Sequence, residues 1–186
     1  EIDMILPQVK GTKIIGFQLE NNVDAVEYAI KKAKQEGIST LLDPAPVKQL
    51  SPDIYHYLDY LKPNEYEAGE LSGIEVTGKE KAAHACSWFL DKGVKNVIIT
   101  LGREGCVYMN TNERKPHFFE TYEVEAVDTT GAGDSFSGAL MSEIARGKSI
   151  ETAITYSLAA SALSVTRYSV IDALPSKEEV DKFIRG

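Results

Sequence analysis

Apolar and polar positions along this chain follow two periods in turn. TKIIGFQL (residues 12–19) is a short apolar run of the kind that forms a buried strand, and residues 23–36 follow with Val23, Val26, Ala29, Ile30 and Ala33 at helical spacing. Gly37 stops that helix. ISTLLD (38–43) is again strand-like, and the PAP after it forbids continuation. YLDYLK precedes Pro63, then a helix over about 64–71 and another across 79–92. VKNVIITL (94–101) reads as a strand that turns through REG into CVYM as a hairpin, and two shorter extended pieces are expected within 116–127. Helices are predicted at about 132–146, 149–166 and 176–185.

Strands alternating with helices specify the α/β class, with a mostly parallel sheet covered by helices on both faces. In such sheets ligands bind beyond the carboxyl ends of the strands. The segments at those ends are Glu20, DPAP (43–46), PNEYE (63–67), TLGREG (100–105) and the GAGD loop (131–134). A length of 186 residues favours one domain, and no repeat, low-complexity run or linker divides it.

A net charge of −8 argues against a nucleic-acid binder, whose affinity rests on clustered lysine and arginine. Small anions remain admissible, because a local loop can hold them whatever the global charge. Cys86 and Cys106 fit no metal or redox spacing, and His56, His84 and His117 are too scattered for a zinc pair. Buried thiols in a cytoplasmic protein are therefore expected. No apolar run approaches the ~20 residues needed to span a membrane, and EIDMILPQVK lacks the pattern of a signal peptide.

The richest stretch is DTTGAGDSFSGAL (128–140), which runs into a helix carrying Phe136, Ala139, Leu140 and Ile144 on one face, with Asp134 in its first turn. Gly131 and Gly133 either relieve a tight turn or let successive backbone N–H groups converge on an anion at the helix N-terminus. The dinucleotide pattern G-x-G-x-x-G fails because Phe136 occupies the third glycine position. The P-loop fails because Ala139 and Leu140 stand where Lys and Ser or Thr are required. Asp134 is either a helix acid favoured by the macrodipole or a carboxylate facing a bound alcohol. NEYE (64–67) has the form of a capping box, which also places Glu67 at the ligand edge. TLGREG is either a hairpin turn with Gly102 and Gly105 at positive φ or a close approach for a ring or phosphate, and DPAP reads as a rigid loop.

Together DTTGAGDSFSGAL, PNEYEAGELSG and TLGREG, in this order, resemble the motifs of the ribokinase-like (PfkB-type) carbohydrate kinases, and the resemblance runs from GFQLE to the last helix. It implies a three-layer α/β sandwich and ATP-dependent phosphorylation of a sugar hydroxyl. It makes Asp134 the catalytic base and the backbone of Gly131, Ala132 and Gly133 the anion hole. Asn64 and Glu67 match an N-x-x-E motif that organises magnesium and phosphate through water, and Thr100, Leu101, Gly102, Arg103, Glu104 and Gly105 match the nucleotide-binding turn. Glu20 matches a sugar-contacting glutamate.

The same resemblance implies an activating monovalent cation, potassium, with Asp128, Thr130, Ser164, Arg167, Ser169 and Ala173 at its ligand positions. Ser169 stands where glycine is usual, Ala173 where some members have serine, and SVIDALP departs from the usual loop. A carbonyl ligand survives such changes if the backbone does. Family members are substantially longer, so the chain is expected to be the C-terminal, nucleotide-binding portion of such a kinase, with most sugar contacts and the lid strands elsewhere. The partners implied are a sugar and ATP, with neither nucleic acid nor membrane, and the resemblance allows a homodimer of the full-length protein.

Overall fold

A computed structural model describes residues 1–9 and 11–186, which form two compact units, residues 1–118 and 119–186. The first contains α1 (Ile2–Ile5), β1 (Ile14–Phe17), α2 (Val23–Gln35), β2 (Ser39–Leu42), β3 (Tyr60–Leu61), α3 (Glu65–Ser72), α4 (Lys79–Asp91), β4 (Asn96–Thr100) and β5 (Cys106–Asn110), and β6 (His117–Phe119) lies at the division. The strands form one mixed sheet in sequential order, β1-β2-β3-β4-β5-β6. β1 to β4 are parallel and β4 to β5 is the antiparallel hairpin expected from the sequence. Helices flank the sheet, giving the expected α/β class.

Local chemistry explains the elements. Asn22 caps α2 by accepting the Ala25 N–H at 3.0 Å, and the helix buries Val26, Ile30 and Ala33 before ending at Gly37, whose φ is +74°. Val97, Ile98 and Ile99 are consecutive and all buried, as required of a strand covered on both faces. The core beneath α4 is sealed by Phe89, whose ring meets Trp88 edge-on at 5.1 Å and Tyr55 at 6.0 Å. Both cysteines are buried free thiols, with burial pushing Cys106 up to about 12 and Cys86 higher still.

The second unit is helical, with α5 (Ala132–Ala145), α6 (Ile150–Ser164) and α7 (Lys177–Arg185). Small residues Ala153, Ser157, Ala160 and Ser164 are buried along α6, which packs against α5. α7 starts with a capping box between Ser176 and Glu179 and buries Val180 against Ala159 and Ala160.

One expectation needs correction, and one element had no signal in the sequence. Only one of the two extended pieces within 116–127 forms, β6. Residues 120–127 are irregular because their anchors lie elsewhere: the Tyr122 ring packs at a tilt against Phe183 with centroids 5.0 Å apart, and the Val127 N–H donates to the Val165 carbonyl at 2.7 Å. α1, for which the sequence pattern gave no signal, forms beside α2, with the Tyr28 hydroxyl donating to Asp3. Among the described residues no helix is long and apolar enough to cross a membrane.

At the amino ends of the strands Asp59 is a buried charge with several partners. It accepts from Lys34 at 2.5 Å, pairs with Lys95 at 3.0 Å and accepts the Thr40 N–H at 3.1 Å. Burial pushes its carboxyl up, but these two ammonium groups and the N–H outweigh burial and hold it below the usual aspartate range. Stability from this group is therefore present above the unfolded-state pKa of about 3.9 and is lost as pH falls through the native value. Asp59→Asn is expected to lower stability by about 1–3 kcal/mol at pH 7, with the difference from the parent closing below about pH 4. Urea unfolding across pH 3–7 measures it, and a pH-independent difference would reject the assignment.

Candidate functional site

The parallel strands bring four of the predicted segments to one edge of the first unit. Glu20 is exposed three residues beyond β1, and the neighbouring Leu19 N–H donates to the Ala45 carbonyl of the DPAP loop at 2.8 Å. Ala45–Pro46 is a cis peptide. Asn64 follows β3 and bridges to Thr100, the last residue of β4, while the Thr100 N–H donates to the Pro63 carbonyl at 3.0 Å. The capping box forms in full: Asn64 Oδ1 accepts the Glu67 N–H and Glu67 Oε2 accepts the Asn64 N–H, each at 2.8 Å. Glu67 is buried, which raises its pKa, and the Asn64 N–H offsets part of that rise. Charges on Asp43, which raises it further, and on Lys62, which lowers it, also act there.

TLGREG folds as read, with Gly102 at φ +52° and Gly105 at φ +85° around a single 3₁₀ turn, closed by the Leu101 N–H donating to the Gly105 carbonyl at 2.8 Å. Arg103 and Glu104 are exposed. Glu104 Oε2 lies 3.8 Å from where a Cβ on Gly78 would sit, beside the amino end of α4, which has no side-chain cap of its own. Two residues missed by sequence reasoning stand at this edge. Asp43 and Lys62, the residues directly after β2 and β3, form an ion pair at 2.6 Å whose side chains are 5% and 4% exposed. The signal was available in Lys62, a charged residue following the apolar pair Tyr60 and Leu61 directly before Pro63.

In the second unit the glycine loop leads into α5 as expected. Gly131 is the N-cap at φ +77°, a left-handed conformation with almost no steric cost only for glycine. A Cβ there would also lie 2.8 Å from Val170 Cγ1, so the 166–175 loop packs directly on the glycine turn. Asp134 falls in the first turn of α5 and is exposed beside a cavity of about 270 Å³. The Ala132 N–H, expected to face an anion, donates instead to the Thr129 carbonyl at 3.3 Å, a long bond that an anionic oxygen could outcompete.

Asp128 sits apart from the first turn of α5. Its carboxylate accepts the Thr130 hydroxyl at 2.7 Å and the Thr130 N–H at 2.9 Å, which hold it below its ordinary pKa. The Val165 carbonyl, at the carboxyl end of α6, accepts the Asp128 N–H at 3.2 Å, so a carboxylate and the negative end of a helix dipole meet here. Ser164 is buried and donates to the Ser161 carbonyl at 2.8 Å, and Arg167 pairs with Glu179 at 2.5 Å. That pairing holds the Glu179 carboxyl down at about 2. Ser169 takes φ +90°, the glycine-like region, and Ala173 is buried.

In the first unit parallel strands gather their loops at one edge, and in the second a glycine turn leads an acid into the first turn of a helix. The chain matches the pfkB family carbohydrate kinase over residues 2–177 and belongs to that family. It is 36% identical over 177 residues to ribokinase of Haemophilus influenzae, covering 95% of this chain and 57% of that protein. Its structure resembles Arabidopsis thaliana ribokinase complexed with ribose and ATP, with a TM-score of 0.93 at 28% identity over 99% of this chain and 59% of that one. It also resembles a putative ribokinase II from E. coli in complex with ATP and Mg²⁺, with a TM-score of 0.79 at 27% identity over 100% and 61% of the two chains. The chain thus spans between half and two thirds of the length of these relatives.

Gly131→Ala is expected to cost about 2–3 kcal/mol, from the left-handed φ and the contact with Val170. Val170→Ala in the same background should recover the contact part and leave the backbone part. Urea unfolding of the three proteins tests this, and a loss below about 0.5 kcal/mol would reject it.

Proposed function

We propose that the protein supplies the nucleotide-binding and catalytic part of an ATP-dependent carbohydrate kinase acting on ribose and forming ribose 5-phosphate. The observation that carries this reading is Asp134 in the first turn of α5, directly after the left-handed turn at Gly131. The attacking sugar hydroxyl gives its proton to the Asp134 carboxylate as its oxygen bonds the γ-phosphorus. The bond from that phosphorus to the β-γ bridging oxygen breaks, and ADP leaves. In a loose transition state the carboxylate mainly positions the hydroxyl, while N–H groups of Gly131, Ala132 and Gly133 stabilise charge on the transferred group. Asn64 and the turn Thr100 to Gly105 hold the nucleotide, and Glu20 contacts the sugar.

The donors present fit a magnesium ion held through water. Among the described residues no cluster of three or more His, Cys, Asp or Glu could chelate a metal directly, and magnesium on nucleotides typically takes one or two carboxylates together with phosphate and water. Glu67 would be that carboxylate, and magnesium when bound neutralises charge on the phosphates. Potassium fits Asp128 and Thr130 with the backbone of Ser164, Arg167, Ser169 and Ala173, since the set is a carboxylate and neutral oxygens beside a helix carboxyl end.

The experiment is ATP consumption by the full-length protein across a panel of sugars, with ribose expected to lead. Asp134→Asn should lower kcat at least 10²-fold with ATP affinity little changed, and an effect confined to KM would reduce the residue to sugar binding. A panel without turnover would overturn the reading.

Potassium should raise kcat and sodium should substitute poorly, with Asp128→Ala abolishing the response while residual activity persists. Equal rates in potassium and in a bulky organic cation would reject the cation site.

A further inference from the structure

The Asp43 to Lys62 pair takes no part in the reaction as proposed, yet it is the most completely buried ion pair among the described residues, with Nζ to Oδ2 at 2.6 Å. A buried pair usually stabilises a fold no better than an apolar pair of the same volume, so packing alone does not account for it. Its place in the sheet is informative. The parallel register pairs Leu42 with Leu61, so Asp43 and Lys62 oppose each other one step beyond the last ladder position. The backbone continues the ladder there, the Lys62 N–H donating to the Leu42 carbonyl and the Asp43 N–H to the Phe17 carbonyl, each at 2.9 Å.

β3 has only two residues, too few to fix the corner beyond it. That corner is made by Pro63, whose carbonyl accepts the Thr100 N–H, and by Asn64, which caps α3 and exchanges hydrogen bonds with Glu67. Lys62 is therefore the last side-chain anchor before the residues that carry the nucleotide-facing groups. Both charges of the pair also act electrostatically on Glu67, in opposite senses.

We propose that Lys62 is a positioning residue: clamped by Asp43, it fixes the corner of Pro63 and Asn64 and sets the placement of the Glu67 carboxylate toward magnesium-bound nucleotide. This rests on the kinase reading. A pair that braced only the fold or the Asn64 corner would weaken nucleotide binding equally with and without magnesium, whereas a pair that also places Glu67 costs more when the metal is present.

Calorimetry on the full-length protein with ATP, in excess magnesium and in EDTA, separates the two. The variants are Lys62→Gln, which keeps a donor to Asp43, the apolar pair Asp43→Leu with Lys62→Met, and Lys62→Arg, with circular dichroism to select those that fold. Folded variants without the Lys62 charge should bind ATP at least about 10-fold more weakly in magnesium and lose at least about fivefold less in EDTA, where only the Asn64 corner is felt, with Lys62→Arg recovering most of the loss. Unchanged binding in magnesium, or equal losses in both conditions, would overturn the proposal. A parent that binds magnesium and ATP but phosphorylates no sugar sinks the kinase reading and leaves this binding test to decide the role of Lys62. Normal ribose turnover with unaffected variants sinks this inference alone.

Discussion

The parallel register of β1 to β4 is the constraint that gathers the loops of the first unit at one edge. Parallel strands all release their carboxyl ends at the same edge, so each crossover deposits one loop there. Glu20, Asp43, the Lys62 to Asn64 corner and Thr100 are distant in sequence but follow or end successive neighbouring strands. An alternation of directions would have sent half of them to the opposite edge. That edge carries Asp59 with its two lysines, which has the character of a structural charge cluster.

The second unit achieves a comparable concentration of polar backbone by another route. Its loop holds Asp128 against the Thr130 hydroxyl and N–H, and at the amino end of α5 the Ala132 N–H donates to the Thr129 carbonyl at 3.3 Å. Gly131 admits the left-handed turn, and the contact with Val170 ties that turn to the loop after α6. The Ser161 hydroxyl donates to the Ala132 carbonyl at 3.0 Å, so α6 also grips the first residue of α5. The glycine turn, the start of α5 and the loop after α6 are thus parts of one braced system.

Much of this was legible in the sequence because its physics is local. The Asn64 and Glu67 box, the glycines of TLGREG and the glycine turn before α5 each need only neighbouring residues, and each formed as read. The failures are non-local. Residues 120–127 look extended in sequence, but Tyr122 is drawn to Phe183, some sixty positions away. Asp43 read as part of a rigid loop and Lys62 only as the residue before Pro63, because only the β2 to β3 register sets them opposite each other. The tie between Val170 and Gly131 was likewise hidden, since no periodicity relates an irregular loop to a helix cap.

Ser169 shows a non-glycine residue held at a glycine-like dihedral. The family resemblance implies glycine there, and glycine is the residue for which φ +90° costs nothing, yet the backbone of Ser169 adopts that angle. A serine in this region carries strain of about 1–3 kcal/mol and persists only where its surroundings fix it. Those surroundings are visible: the Ser169 hydroxyl donates to Asp172 at 3.3 Å, Val170 is seated on Gly131, and Arg167 is anchored to Glu179. A carbonyl points where the flanking dihedrals send it, whatever the side chain. A loop that holds a glycine dihedral without the glycine therefore does so at a strain that its neighbours sustain.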